Sequence, residues 1–335
     1  MANYLVTGAA GFIGSRVATM LLESGHSVSG IDNLNDAYDV RIKHWRLKHL
    51  LERPNFSFHQ LDISDRQAME NAGFGSQRGK NQDGTERRFD GMINLAARAG
   101  VRQAVENPWV YVDTNTTGTL NLLELCHWQE IPKFVLASTS SIYGADAPLP
   151  TPEDANSDRP LQAYAASKKG AEALSHVYHY LYGTDVTIFR FFTVYGPSGR
   201  PDMSMFRFVQ WISEGKPLKL IGDGEQSRGF TYIDDIARGT ILGLKPLGYE
   251  IINLGGHETI KINELIVMLE KMIGRQANIK RYPTNPTEMS ANWANVEKAG
   301  RLLSWEPQVS LQDGVSRLVA WYNAERQWTS QIETD

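Results

Sequence analysis

Two side chains that together could move a proton stand four residues apart, Tyr164 and Lys168 in the run YAASK. The run lies in a helical pattern, so both project from one face, a turn apart. A phenol with a pKa of about 10 is a poor base at neutral pH, but a neighbouring ammonium and a cationic nicotinamide both stabilise its phenolate. The pair alone is common on helix surfaces, and its weight comes from two other features. Ser138, Thr139, Ser140 and Ser141 cluster at the end of a predicted strand, and TGAAGFIG places Gly8, Gly11 and Gly14 directly after a strand and at the start of a helix. Glycines there allow a tight turn and a close backbone approach to a pyrophosphate, whose charge is favoured at a helix N-terminus. Asp32 ends the next predicted strand, where a carboxylate accepts hydrogen bonds from an adenine-ribose diol and repels a 2′-phosphate, favouring NAD over NADP. The competing reading has Asp32 merely open the polar turn DNLND.

These groups need a scaffold, and the chain offers one. NYLVTG, SVSGID, FSFHQLD, GMINLAA, KFVLAST and DVTIFRFF read as strands, separated by the amphipathic stretches RVATMLLES, RIKHWRLKHLLE, TTGTLNLLELCHW and SKKGAEALSHVYHYL. Strand and helix in turn predict an α/β fold, a doubly wound parallel (Rossmann) sheet with helices on both faces, whose ligands bind beyond the carboxyl ends of the strands. After about Thr193 the rhythm changes, with helices near MSMFRFVQWISEG, NELIVMLEKMI and LQDGVSRLVAWYN and short strands at LKLIG and EIINLGG. The expectation is an NAD-binding domain over 1–192, with a returning segment near 230–250, and a smaller C-terminal α+β substrate-binding domain over 193–335.

The 335 residues are 41% hydrophobic, enough for a sizeable core, and the net charge of -4 gives no global attraction to nucleic acid or an anionic membrane. Cys126, the only cysteine, cannot form an intramolecular disulfide and sits in an apolar helical pattern. The N-terminal stretch lacks a basic leader and any apolar run long enough to span a membrane, and the reading is cytoplasmic. The polar segment 75–88 reads as a solvated, exposed insertion. His44 with His49 and His176 with His179 could share helix faces, but neither an HExxH pattern nor a cysteine cluster accompanies them, and no metal is expected. The basic helix RIKHWRLKHLLER, with Trp45, could suggest nucleic-acid or membrane contact, but a helix of the α/β fold with one apolar face explains it equally well, and neither partner is expected.

TGAAGFIG, Asp32, STSS followed by IYG, and YAASK together resemble the extended short-chain dehydrogenase/reductase superfamily, over nearly the whole chain. Within it, DNLNDAYDVRIK, LAARAGVR, RFFTVYGPSGRPDMSMF and FTYIDDI are similar to UDP-glucuronate 4-epimerases. The resemblance implies Tyr164 as the base, Lys168 as its pKa partner and ribose ligand, and Thr139 as the hydroxyl beside the sugar O4. It implies cofactor contacts at Gly8, Gly11, Phe12, Ile13, Gly14, Asp32, Asn33, Asp62, Ile63, Leu95, Ala96, Ala97, Asn115, Tyr164 and Lys168. For the substrate it implies Arg102, Thr139, Ser140, Ser141, Thr193, Arg200, Arg228 and Glu288, with Arg200 near the C6 carboxylate and Arg228 near the diphosphate. The implied chemistry is transient oxidation at C4 and return of hydride to the other face, with no net redox change.

Related activities stay open on the residues alone. Dehydratases usually read T-D-E where this chain has Thr139, Ser140 and Ser141, and decarboxylases usually carry a glutamate at the Ser141 position. UDP-glucose 4-epimerases typically have an Asn where Thr193 lies. The first difference speaks against elimination, the missing glutamate favours an enzyme that keeps the C6 carboxylate and stops at epimerisation, and Thr193 points away from the neutral sugar; a non-catalytic NAD sensor is the reading from another class. Asn94 in place of a frequent His, Gly229 in place of an Asp and Asn295 in place of an Asp depart from the family pattern. A homodimer through a four-helix bundle, with LNLLELCHW and ALSHVYHYLYG contributing, is the expected assembly.

Overall fold

The computed structural model describes residues 1–77, 79, 84, 86–100, 103–256, 258–283 and 291–334. The first half alternates β1 (Asn3–Thr7), α1 (Phe12–Glu23), β2 (Ser27–Asp32), α2 (Val40–Leu51), β3 (Phe56–Gln60), α3 (Arg66–Asn71) and β4 (Gly91–Asn94). The short helices α4 (Gln103–Glu106) and α5 (Trp109–Tyr111) lead through a π-helical turn, Val112–Thr117, into α6 (Gly118–Gln129). Then come β5 (Lys133–Thr139), a 3-10 turn at Ser140–Tyr143, α7 (Ala163–Tyr182) and β6 (Asp185–Phe191). The remainder comprises β7 (Thr193–Tyr195), α8 (Ser204–Glu214), β8 (Pro217–Ile221), β9 (Ser227–Tyr232), α9 (Ile233–Leu242), β10 (Tyr249–Leu254), β11 (Thr259–Lys261) and α10 (Ile262–Ile273). It closes with β12 (Asn278–Tyr282), β13 (Ala291–Asn292), α11 (Glu297–Leu303), α12 (Leu311–Ala324) and α13 (Arg326–Thr329).

Seven strands form one sheet in the order β10-β6-β5-β4-β1-β2-β3, every neighbouring pair parallel. All seven residues of β5 are buried, as a strand covered on both faces requires. Its alternate side chains serve opposite layers. Phe134 and Leu136 pack with Leu122, Leu123 and Ala171 of α6 and α7, whereas Val135 and Ala137 pack with Val17 and Leu21 of α1 and Ile236 of α9. Cys126 is buried in the first layer, where burial pushes its thiol far above its ordinary pKa. The strand order reverses between β1 and β4, so the crevice beyond Thr7 and Asn94 is the switch point where ligands of such sheets bind.

A second core gathers Tyr195, Phe206, Trp211, Leu265 and Val315 beside a four-stranded sheet made of β7, β11 and β13 around β9, with β12 and β8 pairing separately. Phe12, which follows the glycine turn, and Ile42 of α2 belong to this core. Among the described residues no helix is long and apolar enough to cross a membrane. Of the polar segment 75–88, residues 78, 80–83 and 85 lie outside the described set. The described ends are less free than expected: Gly75 is buried, Gln129 donates to its carbonyl at 2.8 Å, and Arg87 lies 4.6 Å from the Phe74 ring centre.

Candidate active site

The glycine turn is built by steric necessity. Gly8 has φ +70°, and a Cβ there would stand 2.7 Å from the Ala96 nitrogen; a Cβ on Gly14 would stand 2.0 Å from the Gly8 carbonyl oxygen. The close approach seats α1 against the turn. No side chain caps α1 and no acid occupies its first turn, so the N–H groups at its start, on Phe12, Ile13 and Gly14, and the positive end of its dipole face the crevice unneutralised. At the end of β2, Asp32 accepts from Ala10 N at 3.1 Å and Leu34 N at 2.8 Å, which leaves further acceptor capacity for a diol. Asn33 donates to Asp62 at 2.7 Å, and Ser64 donates to Asp62 through both its backbone N–H and its hydroxyl. Although burial opposes it, those Ser64 and Asn33 hydrogen bonds hold the Asp62 carboxyl below its ordinary pKa. Ile63 packs against Gly118, where even a methyl group would come within 2.7 Å of it. An open helix start, a glycine cradle and an acid at the second strand end make a donor and acceptor set that fits a dinucleotide.

Across the crevice, Leu95, Ala96 and Ala97 run out of β4 over Gly8. Asn94 is fully buried: it accepts from the Thr7 hydroxyl at 2.7 Å and donates to Thr119 at 3.1 Å, tying β1 and β4 to α6. Asn115 sits behind this loop with its amide saturated, accepting from Arg98 N at 2.9 Å and donating to Arg98 O at 3.0 Å and Ser167 Oγ at 2.9 Å. Ser167 in turn donates to the Tyr164 carbonyl at 2.8 Å.

Tyr164 and Lys168 lie in the first two turns of α7, over the end of β5. Tyr164 is half-buried. Burial raises its phenol above the ordinary value, while a hydrogen bond with the Thr139 side chain and the charge of Arg200 pull it back. Lys168 is 2% exposed and donates to the Ala137 carbonyl at 2.8 Å. Burial pushes its ammonium down to about 8, opposed by the carboxylate of Glu172 one turn on. Thr139 Oγ1 and Ser141 Oγ are 3.2 Å apart, and the Thr139 oxygen also accepts from Ser141 N at 3.2 Å, so the serine cluster turns back on its own strand end. Ser140 faces a cavity of about 230 Å³ bordered by Tyr143, Gly144, Thr151 and Asn292.

Beneath this set lies a buried ion pair that sequence reasoning missed. Arg190 of β6 donates to Glu172 through Nε at 3.0 Å and Nη2 at 2.8 Å, and Ser138 donates to the same carboxylate at 2.5 Å. Arg190 also donates to the Tyr143 hydroxyl at 3.1 Å, which donates to Asn253 of β10 at 2.7 Å. Spacing in YAASKKGAE could have signalled Glu172, one turn from Lys168 on the buried face; nothing local marks Arg190 as its partner.

The substrate-side residues are less tightly gathered. Thr193 begins β7 and pairs with Phe230 of β9. Arg228 occupies β9 opposite Ile260 and Asn292 and donates to the Ser227 carbonyl at 2.9 Å. Arg200 is close enough to Tyr164 for its charge to be felt there, but its fork is occupied: Nε meets Asp202 at 3.0 Å and Nη2 meets the same carboxylate at 2.5 Å. Despite burial, that partner holds the guanidinium above its ordinary pKa. Nη1 gives no hydrogen bond to any described residue. Arg102 and Glu288 lie outside the described residues. The reading of RIKHWRLKHLLER is corrected: its inner face is not simply apolar, because Lys43 and Arg46 are buried beside Ile42 and Leu47, Lys43 donating to Asn35 and Arg46 to Ala10 of the glycine turn. Cations at i and i+3 on the apolar face were the signal for this. Among the described residues no group of three or more metal-binding side chains converges.

The sequence model of the NAD dependent epimerase/dehydratase family matches residues 4–255. The chain is 55% identical over 322 residues to a UDP-glucuronate 4-epimerase of Thermodesulfobacterium geofontis, covering 96% of each protein. Among solved structures it is similar to a Bacillus cereus UDP-glucuronic acid 4-epimerase in complex with UDP-glucuronic acid and NAD, with 36% identity, TM-score 0.86 and coverage of 96% of this chain and 99% of that one. A Thermotoga maritima UDP-glucose 4-epimerase with UDP-glucose superposes as closely, at TM-score 0.86, with 29% identity and coverage of 97% and 99%. Those two similar backbones were thus solved one with a charged and one with a neutral UDP-sugar. From its glycine turn to β10, this chain belongs to the NAD-dependent epimerase/dehydratase family.

Proposed function

We propose that this protein inverts C4 of UDP-glucuronate, giving UDP-galacturonate, with NAD as a resident cofactor. The observation that carries the reading is the meeting of Thr139, Tyr164, Lys168 and the Arg200 charge at one strand end, in a chain 55% identical to a UDP-glucuronate 4-epimerase. The glycine turn and the open start of α1 would hold the pyrophosphate, and Asp32 the adenosine ribose. When bound, NAD supplies the hydride acceptor for C4 and, once the sugar has turned, its donor.

The chain's own residues manage the protons and the charge. Tyr164 takes the O4 proton as the C4–H bond breaks and returns it at the end, so its pKa must sit near the working pH. The Thr139 hydrogen bond and the charge of Arg200 move it in that direction, against burial. Lys168, held at the Ala137 carbonyl, supplies a positive charge one turn below. Ser140 and Ser141 offer no acid–base pair at neutral pH, so elimination across C5–C6 lacks its catalysts. Nη1 of Arg200 is the donor left for the C6 carboxylate, and charge-assisted pairing of that kind is the strong form of hydrogen bond. The test is incubation with UDP-glucuronate and no added cofactor, followed by NMR: UDP-galacturonate supports the reading, whereas a UDP-pentose product would move the protein to the decarboxylases.

We further infer a homodimer. Ala166, Ala173, Val177 and Leu181 of α7 are exposed along one helical stripe, and Trp109 and Val112 beside it are 75% and 44% exposed. An apolar face of this kind is what a four-helix bundle between two copies would cover. Val177→Glu should shift the mass measured by light scattering to that of a monomer.

A further inference from the structure

Arg46 lies on α2 with only 2% of its surface exposed, and Lys43, a turn earlier, with 5%. A buried guanidinium ordinarily meets a carboxylate. Among the described residues no acid lies within ion-pair distance of Arg46, and its donors go to main-chain carbonyls and a phenol instead. Nη1 donates to Ala10 O at 3.2 Å and to the Tyr38 hydroxyl at 2.9 Å; Nε donates to Ser198 O at 3.0 Å, and Nη2 donates to the same oxygen. The guanidinium also lies 5.7 Å from the ring centres of Phe12 and Tyr38.

Its two carbonyl partners come from the two halves of the site. Ala10 is inside the glycine turn, and its N–H donates to Asp32. Ser198 stands two residues before Arg200 and has φ +54°, a left-handed conformation uncommon for a residue other than glycine. The loop's own turns, Gly199 N to Gly196 O at 3.1 Å and Met203 N to Arg200 O at 3.2 Å, are short-range and do not fix it against the rest of the molecule. Beyond the loop Arg200 Nη2 donates to Ala99 O at 3.4 Å, and Arg46 ties the loop backbone more closely, from a firm base. Trp45 packs at 5.7 Å on Trp321 and 6.4 Å on Trp328, and Arg41 Nη2 donates to Gln331 O at 2.8 Å, so α2 is moored to the C-terminal helices.

We propose that Arg46 is a positioning residue that sets the place of Arg200 by holding the Ser198 carbonyl, and that it links the state of the dinucleotide turn to the sugar-nucleotide loop through the contiguous series Asp32, Ala10, Arg46, Ser198. The Arg200 part of this rests on the glucuronate reading above; the loop-holding part does not. With no carboxylate to satisfy it, the guanidinium keeps its hydrogen bonds for carbonyls on both sides, and its charge stays available beside a turn built for an anion.

The experiment uses the NAD-loaded enzyme and two variants, Arg46→Met and Arg46→Lys. Amide hydrogen exchange of segment 196–203, which needs no sugar, should speed up about tenfold or more in Arg46→Met, while β4, β5 and β6 keep their protection. Arg46→Lys, which keeps the charge but not the fork, should fall between the variant and the parent. With UDP-glucuronate, Arg46→Met should raise KM on the order of tenfold with a smaller change in kcat, and should add less than about twofold when Arg200 is already alanine. Unchanged exchange in 196–203, or effects of Arg46→Met and Arg200→Ala that simply multiply, would overturn the proposal. If the parent does not turn over UDP-glucuronate, the exchange result still decides the loop-holding claim; if Arg46→Met does not fold, Arg46→Lys carries the same comparison.

Discussion

The strand end that carries Thr139, Tyr164 and Lys168 and the loop that carries Arg200 face one cleft, but they are held by different means. The first is fixed from beneath: β5 is wholly buried, α7 runs for 20 residues, and the Glu172–Arg190 pair joins helix, strand and the 3-10 turn in one satisfied network. The second contains a serine at positive φ and is tied across the molecule by Arg46, while Arg200, the arginine proposed to meet the substrate, rests on Asp202 two residues away. Proton transfer tolerates little positional error, so its groups stand on rigid elements. In the reading proposed above, the loop arginine keeps Asp202 on Nε and Nη2 and offers Nη1 to a carboxylate.

Breaking the rigid half at its chemical centre should have the largest effect. Tyr164→Phe removes one hydroxyl and little volume, so the protein should fold and retain NAD while kcat falls by about 10²- to 10⁴-fold, read from cofactor absorbance per chain and from turnover. Near-normal turnover would remove Tyr164 from the proton path. The support beneath it can be tested on its own. Glu172→Gln leaves Arg190 buried without its carboxylate and should cost about 3–5 kcal/mol in denaturant unfolding, as broken buried pairs do; a loss below about 1 kcal/mol would mean that packing alone holds the strand end.

The loop half should respond more selectively and less severely. Arg200→Ala should lower kcat/KM for UDP-glucuronate by about ten- to a hundredfold, the worth of one charge-assisted bond, with much less effect on any weak turnover of UDP-glucose. Once C4 is oxidised the sugar is a β-keto acid, and a carboxylate no longer held can align its C–C bond with the carbonyl and leave. The variant should therefore release some UDP-pentose. Equal slowing of both sugars with no pentose would reassign Arg200 to the diphosphate or the fold.

The two halves were also unequally legible in the sequence. The parallel sheet follows from strand and helix in alternation, and the strand end of β5 follows from motifs that are local: glycines at fixed spacing, an acid at a strand terminus, a tyrosine and lysine one helical turn apart. What escaped is what lies far apart in sequence. Arg190 meets Glu172 across 18 residues and Arg46 meets Ser198 across 152, and no periodicity announces either pairing. Charge on the inner face of α2 was overlooked for a related reason: a basic helix with Trp45 reads as a surface element until its partners are in place. The expected strand GMINLAA ends at Asn94 because the following residues must bend over Gly8, a constraint set by the neighbouring turn and not by their own propensity.

The central claim is that C4 is oxidised and reduced in place, the same hydrogen leaving and returning. The direct measurement is turnover of UDP-glucuronate deuterated at C4, in ordinary water, with the label located in the product by NMR and mass spectrometry. Retention of deuterium at C4 of UDP-galacturonate is the predicted result. Loss of the label to solvent would contradict the account and replace hydride return with proton exchange.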